Sequence, residues 1–345
     1  MTLHTNIVPR LLHFKQPAGT SRGVYTTRQI WLIELTADEL PGRMGIGECA
    51  PLPDLSCDAM PDYEQKLKEL CHNLEQQGAI DYDLLRPYPS ILFGMETALL
   101  HLQRGTTALS DTPFAHGEEG IPINGLVWMG SFDEMLSRLE AKMKAGFRCV
   151  KLKIGAIDFE KELELVRHIR HHFSAKEIEL RVDANGGFSP NDALDKLKQL
   201  AEYDIHSIEQ PIKQHQWQEM AALCAASPLP IALDEELIGV NDPTEKQRLL
   251  DTIRPAYIIL KPSLHGGMRG SREWIEMAKE RGIGSWITSA LESNIGLNAI
   301  AHFTATTYGA QIAMPQGLGT GALFTDNIEM PLEIRSDQLW YCPKE

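Results

Sequence analysis

From about residue 120 onward, the chain repeats one unit, in which a short β-branched run is followed by an amphipathic helix. "RCVKLKIG" leads to "DFEKELELVRHIRHHF", and "IELRVDANGGF" leads to "SPNDALDKLKQLAEY". Strands that alternate with helices form βαβ units, which assemble into a parallel sheet. Eight such runs, the last of them "AQIAM", predict an α/β fold, a (β/α) TIM-type barrel of seven or eight βα units rather than an open sheet.

The first part of the chain has a different pattern. "RQIWLIELTA" and "RMGIGECAPLP" are typical of antiparallel strands, and "SILFGMETALLHLQRG" is typical of a helix. After the last predicted barrel strand the sequence has no helical period. We therefore predict an N-terminal α+β capping domain over residues 1–117, a catalytic barrel over residues 118–315, and a C-terminal segment, residues 316–345, that returns to the capping domain.

Composition restricts the partners of the chain. Its 345 residues carry a net charge of −14, and such an acidic surface repels nucleic acid and anionic membranes. No run approaches about 18 uninterrupted apolar residues, so no membrane-spanning helix is expected. Six scattered cysteines without a CxxC motif fit a reducing cytoplasm and argue against a zinc knuckle. The expected partner is a small molecule.

Charged residues occupy one equivalent position in five successive units of the repeat. The residue before each of them is apolar and faces the helices, so each charge faces into the barrel at the C-terminal end of its strand. Barrel enzymes place their active sites at this rim. The five residues, separated by 25 to 30 positions, are Lys153, Asp183, Glu209, Asp234 and Lys261.

Lys151 lies on the same strand face as Lys153, so a second lysine is directed to the same place. Taken alone, such a pair is typical of an edge strand, and one buried charge is typical of an ordinary ion pair. Three carboxylates in one pocket repel each other, however, and a divalent cation such as Mg²⁺, which prefers oxygen ligands, removes that conflict. Lysines on both sides of such a cation are suited to removing a proton α to a carboxylate.

Several motifs of the barrel region resemble those of the enolase superfamily, and of its muconate-lactonizing subgroup, which pairs a lysine on the second barrel strand with one on the sixth. They are "KLKIG", "DANGGF", "IEQP", "LDEEL", "LKPSLHGG" and "SALESNIG". "TSRGVYTTR", "GECAPLP" and "QGLGTGALFTDN" are similar to stretches of one of its families, the o-succinylbenzoate synthases of menaquinone biosynthesis. In this superfamily a Lys or His base acts beside Mg²⁺, which stabilises an enediolate.

The resemblance implies roles for individual residues. Lys153 is the implied base, and Lys261 is the implied cation on the opposite side of the enediolate. The implied ligands of Mg²⁺, for which Mn²⁺ is expected to substitute, are Asp183, Glu209 and Asp234, with Glu235 supporting them. The implied substrate contacts are Lys151, Asn185, Ser289, Leu291, Glu292, Ser293 and Arg22. Trp128 and Trp286 are expected to pack rather than to bind.

The family resemblance implies a hydro-lyase that dehydrates 2-succinyl-6-hydroxy-2,4-cyclohexadiene-1-carboxylate. An N-succinylamino acid racemase or a dipeptide epimerase needs the same two lysines, so this alternative stays open. A dipeptide epimerase usually carries an acidic residue after the eighth strand, and "AQIAMPQGLGTG" has none. A barrel that binds a ligand without catalysis is an alternative of another class, and the complete charged set argues against it.

Overall fold

The computed structural model describes residues 1–20, 23–128, 130–155 and 158–343. Arg22, an implied substrate contact, lies outside the described residues. The described helices are all too short or too polar to cross a membrane.

An antiparallel sheet and three helices form the N-terminal part of the chain. The strands, in sheet order, are β1 (Leu3–Thr20), β2 (Gly23–Ala37) and β3 (Gly45–Cys49). The helices are α1 (Tyr63–Gln77), α2 (Tyr82–Leu85) and α3 (Pro89–Arg104). A side chain at Gly47 would overlap the carbonyl oxygen of Gly94, so these glycines allow β3 to pack directly on α3. This packing positions the loop that follows β3.

Seven parallel strands, ordered by sequence, form the second sheet, and a helix follows each strand. The strands are β5 (Gly125–Val127), β6 (Cys149–Lys153), β7 (Glu179–Asp183), β8 (Ser207–Glu209), β9 (Ile231–Leu233), β10 (Tyr257–Leu260) and β11 (Gly284–Ile287). The helices are α4 (Phe132–Lys144), α5 (Phe159–His172), α6 (Ala193–Ala201), α7 (Trp217–Ala226), α8 (Pro243–Ile253), α9 (Gly267–Glu280) and α10 (Asn294–Tyr308). The predicted barrel architecture with an N-terminal α+β part is confirmed.

The barrel closes differently from the prediction, because "AQIAM", residues 310–314, does not form an eighth strand. The next residues close the gap between the first and last strands. Gln316 forms a parallel bridge with Ile123, and Gly317 forms one with Thr288. The Gln316 side chain also accepts a hydrogen bond from the Ile287 N–H at 2.7 Å. Two residues therefore take the place of a full strand between the first and last strands of the barrel.

The C-terminal segment contacts both parts of the molecule. Its hairpin, β12 (Leu332–Arg335) and β13 (Gln338–Tyr341), pairs with β4 (Ile121–Pro122) beside the barrel. Upstream of the hairpin, Leu323 accepts a hydrogen bond from the Lys15 N–H of β1 at 2.8 Å. The three-part division of the chain by residue number stays a prediction.

Two glutamates of the N-terminal part, Glu48 and Glu96, cap helices of the barrel. Glu48 accepts hydrogen bonds from the N–H groups of Ser293 and Gly296 at the start of α10, at 2.8 and 2.9 Å. Glu96 accepts them from the N–H groups of Met268 and Arg269 at the start of α9, at 2.5 and 3.0 Å. The first N–H groups of a helix have no partner inside the helix. The two carboxylates therefore join the N-terminal part to the barrel.

Burial makes the Glu96 contact dependent on pH. It raises the pKa of Glu96 from 4.5 to about 7, so between these values the folded protein retains a proton that the unfolded chain releases. The resulting stabilisation is fully present below pH 4.5 and is lost as the pH rises through about 7. Glu96→Gln lacks this titration and keeps only one good acceptor.

We expect Glu96→Gln to lower the free energy of unfolding by about 1–3 kcal/mol near pH 5. Thermal unfolding is measured near pH 5 and near pH 8. The difference in free energy of unfolding between wild type and variant should be smaller at the higher pH. Glu276→Gln, on the exposed face of α9, the helix that Glu96 caps, is the matched control and should leave stability unchanged at both pH values. A difference in unfolding free energy that is larger at the higher pH would contradict the raised pKa of Glu96.

Candidate active site

The five charged residues of the repeat lie at the C-terminal ends of successive strands. Lys153, Asp183 and Glu209 are the last residues of β6, β7 and β8, and they are direct neighbours in the register of the sheet. Asp234 directly follows β9, and Lys261 directly follows β10. The period-two pattern of these strands directs the charged side chains inward, so a short local pattern produces a shared site.

A cavity of about 390 Å³ collects most of the predicted site residues. Those that line it are Lys151, Lys153, Asp183, Asn185, Glu209, Glu235, Lys261, Ser289 and Leu291. Tyr25 of β2 and Leu52 and Leu55 of the loop after β3 line it from the N-terminal part. The barrel supplies the charged residues, and the N-terminal part contributes apolar wall.

The lysines and carboxylates of the site are paired directly. Lys151 contacts Asp183 at 3.0 Å and Glu209 at 2.8 Å. Lys153 contacts Asp183 at 3.1 Å. Lys261 contacts the carboxylate of Asp234, which does not itself line the cavity. The acids therefore occupy the middle of the site, with Lys153 on the β6 side and Lys261 on the β10 side.

Burial and mutual repulsion give these acids different proton affinities. Burial raises the pKa of Glu209 well above its ordinary value, and the charge of Asp183 raises it further. Burial would also raise the pKa of Asp183, but the charges of Lys151 and Lys153 lower it below its ordinary value. Burial lowers the pKa of Lys261, but the charges of Asp234, Glu235 and Glu209 together outweigh this effect and the net direction is upward.

The carboxylates retain unused oxygens that suit a cation. Glu209 Oε1, Asp234 Oδ1 and Glu235 Oε2 are buried without a hydrogen-bond partner, and each such group ordinarily costs about 1–3 kcal/mol. Across the described ranges, no three acidic, histidine or cysteine side chains are arranged to hold a metal as they stand. The lysine ammonium groups contact the carboxylates instead. The all-oxygen donor set and its unsatisfied atoms fit Mg²⁺.

Asn185 connects the Lys153 side of the site to Glu235. Its side-chain oxygen accepts a hydrogen bond from Lys153 Nζ at 2.7 Å, and its Nδ2 donates to Glu235 Oε1 at 2.9 Å. The backbone of Asn185 has φ +44°, a left-handed conformation that asparagine tolerates better than most residues. The "DAN" turn after β7 therefore orients the ammonium group of Lys153.

The loop after β11 contains four residues that the sequence predicted as substrate contacts, and only some of them line the cavity. Ser289 and Leu291 line the cavity, whereas Glu292 and Ser293 do not. Ser263 Oγ and the Ala290 N–H donate to the buried carboxylate of Glu292. Ser293 is the N-cap of α10 and donates its hydroxyl to Glu48. The Glu292 and Ser293 side chains are therefore used in contacts within the protein, and the role of the two residues as substrate contacts stays a prediction.

Sequence reasoning missed much of the cavity wall. Trp128 and Trp286, expected only to pack, both line the cavity, as do Tyr25 and Leu323. Trp286 lies in β11 at the same face as the site, a position that the period of that strand could have indicated. Tyr25 and Leu323 fall within the stretches "TSRGVYTTR" and "QGLGTGALFTDN", but no strand or helix period indicates that these two side chains line the cavity.

Comparison with known proteins agrees with this geometry. The family model described as "Enolase C-terminal domain-like" matches residues 134–337, and the family model described as "MenC, N-terminal domain" matches residues 20–102. The chain is 47% identical to the o-succinylbenzoate synthase of Desulfotalea psychrophila, with 94% of this chain and 95% of that protein covered. It is 25% identical to an L-Ala-D/L-Glu epimerase of Bacillus subtilis, with 83% and 79% covered.

Solved structures show the same relationship. The crystal structure of MenC from Desulfotalea psychrophila LSv54 superposes with a TM-score of 0.84 at 42% identity, covering 99% of this chain and 100% of that chain. A muconate lactonizing enzyme from Pseudomonas fluorescens, complexed with muconolactone, shares the fold with a TM-score of 0.78 at 23% identity, covering 98% and 92%. With its charged rim, its two matched domains and a near full-length relative, the chain belongs to the o-succinylbenzoate synthase family of the enolase superfamily.

Proposed function

We propose that this chain dehydrates 2-succinyl-6-hydroxy-2,4-cyclohexadiene-1-carboxylate to o-succinylbenzoate in menaquinone biosynthesis, as a Mg²⁺-dependent hydro-lyase. The observation that carries the proposal is the placement of Lys153 and Lys261 on the two sides of a carboxylate cluster in one cavity. A proton next to a carboxylate can be removed there while positive charge on the other side stabilises the enediolate.

The roles of the side chains follow from their positions. Lys153 removes the α-proton, and Lys261 stabilises the enediolate from the opposite side. The proton on Lys153 then leaves with the C6 hydroxide as water, and the ring becomes aromatic. Lys151 contacts two of the acids and helps to bind the substrate carboxylate.

Asp183, Glu209 and Asp234 would hold Mg²⁺, with Mn²⁺ as a substitute and Glu235 in support. Bound there, the ion supplies positive charge that stabilises the negative charge developing on the substrate carboxylate. The unpartnered oxygens of Glu209 and Asp234 support this assignment. With the ion in place, the lysines would be released from their contacts with these acids.

A racemase or epimerase of succinylated or dipeptide substrates is the second candidate, because it would use both lysines as acid and base. One observation disfavours a dipeptide. Among the described residues, the carboxylates that line the cavity are Asp183, Glu209 and Glu235, all of them in the charged cluster. The wall formed by Gly317, Gly319 and Thr320 offers no carboxylate to an α-ammonium group.

We expect wild type to act on the cyclohexadiene substrate with a kcat/KM far above that for any N-succinylamino acid, since one lysine can perform both proton steps of the elimination. Steady-state rates with both substrates measure this ratio. Exchange of the α-hydrogen in D₂O, followed for each enantiomer of an N-succinylamino acid, is the accompanying test. Comparable exchange from both enantiomers, with a higher kcat/KM for the amino acid, would favour the racemase. An absence of any Mg²⁺-dependent turnover would favour the non-catalytic barrel.

A further inference from the structure

Arg28 of β2 lies between two loops that line the active-site cavity. Its side chain is only 2% exposed. The guanidinium donates to the carbonyl oxygens of Ala50 and Pro51, at 2.5 Å each, in the loop after β3. It also donates to those of Leu291 and Ala290, at 3.1 and 3.4 Å, in the loop after β11. One side chain therefore joins the two cavity walls.

In the part of the chain that the structure describes, no carboxylate forms an ion pair with Arg28. Burial lowers the pKa of Arg28, and the charges of Glu292 and Glu48 oppose this effect without an ion pair. Each of them is hydrogen-bonded elsewhere, Glu292 to Ser263 and Glu48 to Ser293. The guanidinium is thus committed to main-chain carbonyl groups, which is the arrangement of a residue that sets backbone conformation.

The backbone that Arg28 holds is unusual. Leu291 has φ +63°, a left-handed conformation that a bulky side chain rarely adopts without support. Its carbonyl group is the one bonded to Arg28 Nε. Over the described ranges, the N–H groups of Leu291 and Glu292 have no acceptor, whereas the neighbouring Ala290 and Ser293 N–H groups do. Successive free N–H groups beside a left-handed residue are suited to an anion.

We propose that Arg28 is a positioning residue, which holds Leu291 in its left-handed conformation so that this loop binds the carboxylate at the end of the substrate's succinyl side chain. This inference rests on the proposed function, which supplies the dicarboxylate ligand. Arg28 does not line the cavity and acts only through the loop. Its loss should weaken binding of substrate and transition state alike, with little effect on the chemical step.

We expect Arg28→Met to raise KM for the cyclohexadiene substrate about tenfold or more, with kcat within about threefold of wild type. Arg86→Met is the matched control. Arg86 also joins the N-terminal part to the barrel, through the Asn241 carbonyl and Glu273, but does not line the cavity. Its KM should equal that of wild type.

A second substitution separates positioning from general destabilisation. Glycine adopts φ +63° without steric cost, so Arg28→Met combined with Leu291→Gly should recover KM to within about threefold of wild type. If Arg28→Met does not fold, Leu291→Val tests the same step, because a β-branched residue disfavours this conformation most. An unchanged KM in Leu291→Val would then overturn the proposal.

Calorimetric titration with o-succinylbenzoate measures the loss of binding directly, without turnover. We expect its Kd to rise about tenfold or more in Arg28→Met. Equal affinity of variant and wild type, or a fall in kcat at unchanged KM, would overturn the role of Arg28 and leave the proposed function standing. If wild type binds o-succinylbenzoate but never turns over, the proposed function fails and Arg28 is judged on Kd alone. If wild type binds none, both proposals fail.

Discussion

Lys153→Ala is expected to lose turnover of the cyclohexadiene substrate by about 10²–10⁴-fold or more, because it removes the group that we propose takes the α-proton. Lys153→Arg is expected to be equally inactive, since a guanidinium stays protonated and cannot act as a base. Steady-state kinetics measure the loss, and circular dichroism of each variant shows whether the fold is retained.

The structure explains why this loss should be local. Lys153 is 11% exposed at its side chain and contacts Asp183 and Asn185 at the end of β6. The matched control is Lys198→Ala. The Lys198 side chain is 56% exposed on α6 and pairs with Asp195, away from the site. This variant should keep full activity. If Lys153→Ala retained activity within about tenfold of wild type, Lys153 would not be the base.

Removal of the divalent cation should stop the reaction, and this is the second large effect. We expect EDTA to abolish turnover and Mg²⁺ or Mn²⁺ to restore it. Asp234→Asn should weaken Mg²⁺ binding by at least about 10–100-fold, because it removes the charge of a proposed ligand. Isothermal titration calorimetry measures the affinity directly.

Activity alone cannot decide the role of Asp234, because its carboxylate also contacts Lys261. Asp234→Asn would disturb that lysine even if Asp234 bound no metal. Metal affinity separates the two effects. Asp195→Asn is the matched control, since that carboxylate is 77% exposed and pairs with Lys198 outside the site. Equal Mg²⁺ affinity in Asp234→Asn and wild type would show that Asp234 is not a ligand.

The barrel and its charged rim could be predicted from the sequence because their signals are local and repeat. Each βα unit carries its own period-two strand and amphipathic helix, so the last inward-facing residue of each strand must reach the same end of the sheet. Lys153, Asp183 and Glu209 come together for this reason, as neighbours in register. The eighth strand was mispredicted because two residues, Gln316 and Gly317, close the barrel without a strand pattern.

The tertiary structure alone decided which side chains near the rim face the cavity. Arg28 meets Ala290 and Leu291 across more than 260 positions of sequence, and Glu48 meets Ser293 across 245. Leu291 lines the cavity and Ser293 does not, although the two residues are almost adjacent in sequence. A hydrogen bond between distant segments depends on how the N-terminal part packs on the barrel. Residue periodicity within one strand or helix records only which face is buried, so it carries no information on those partners.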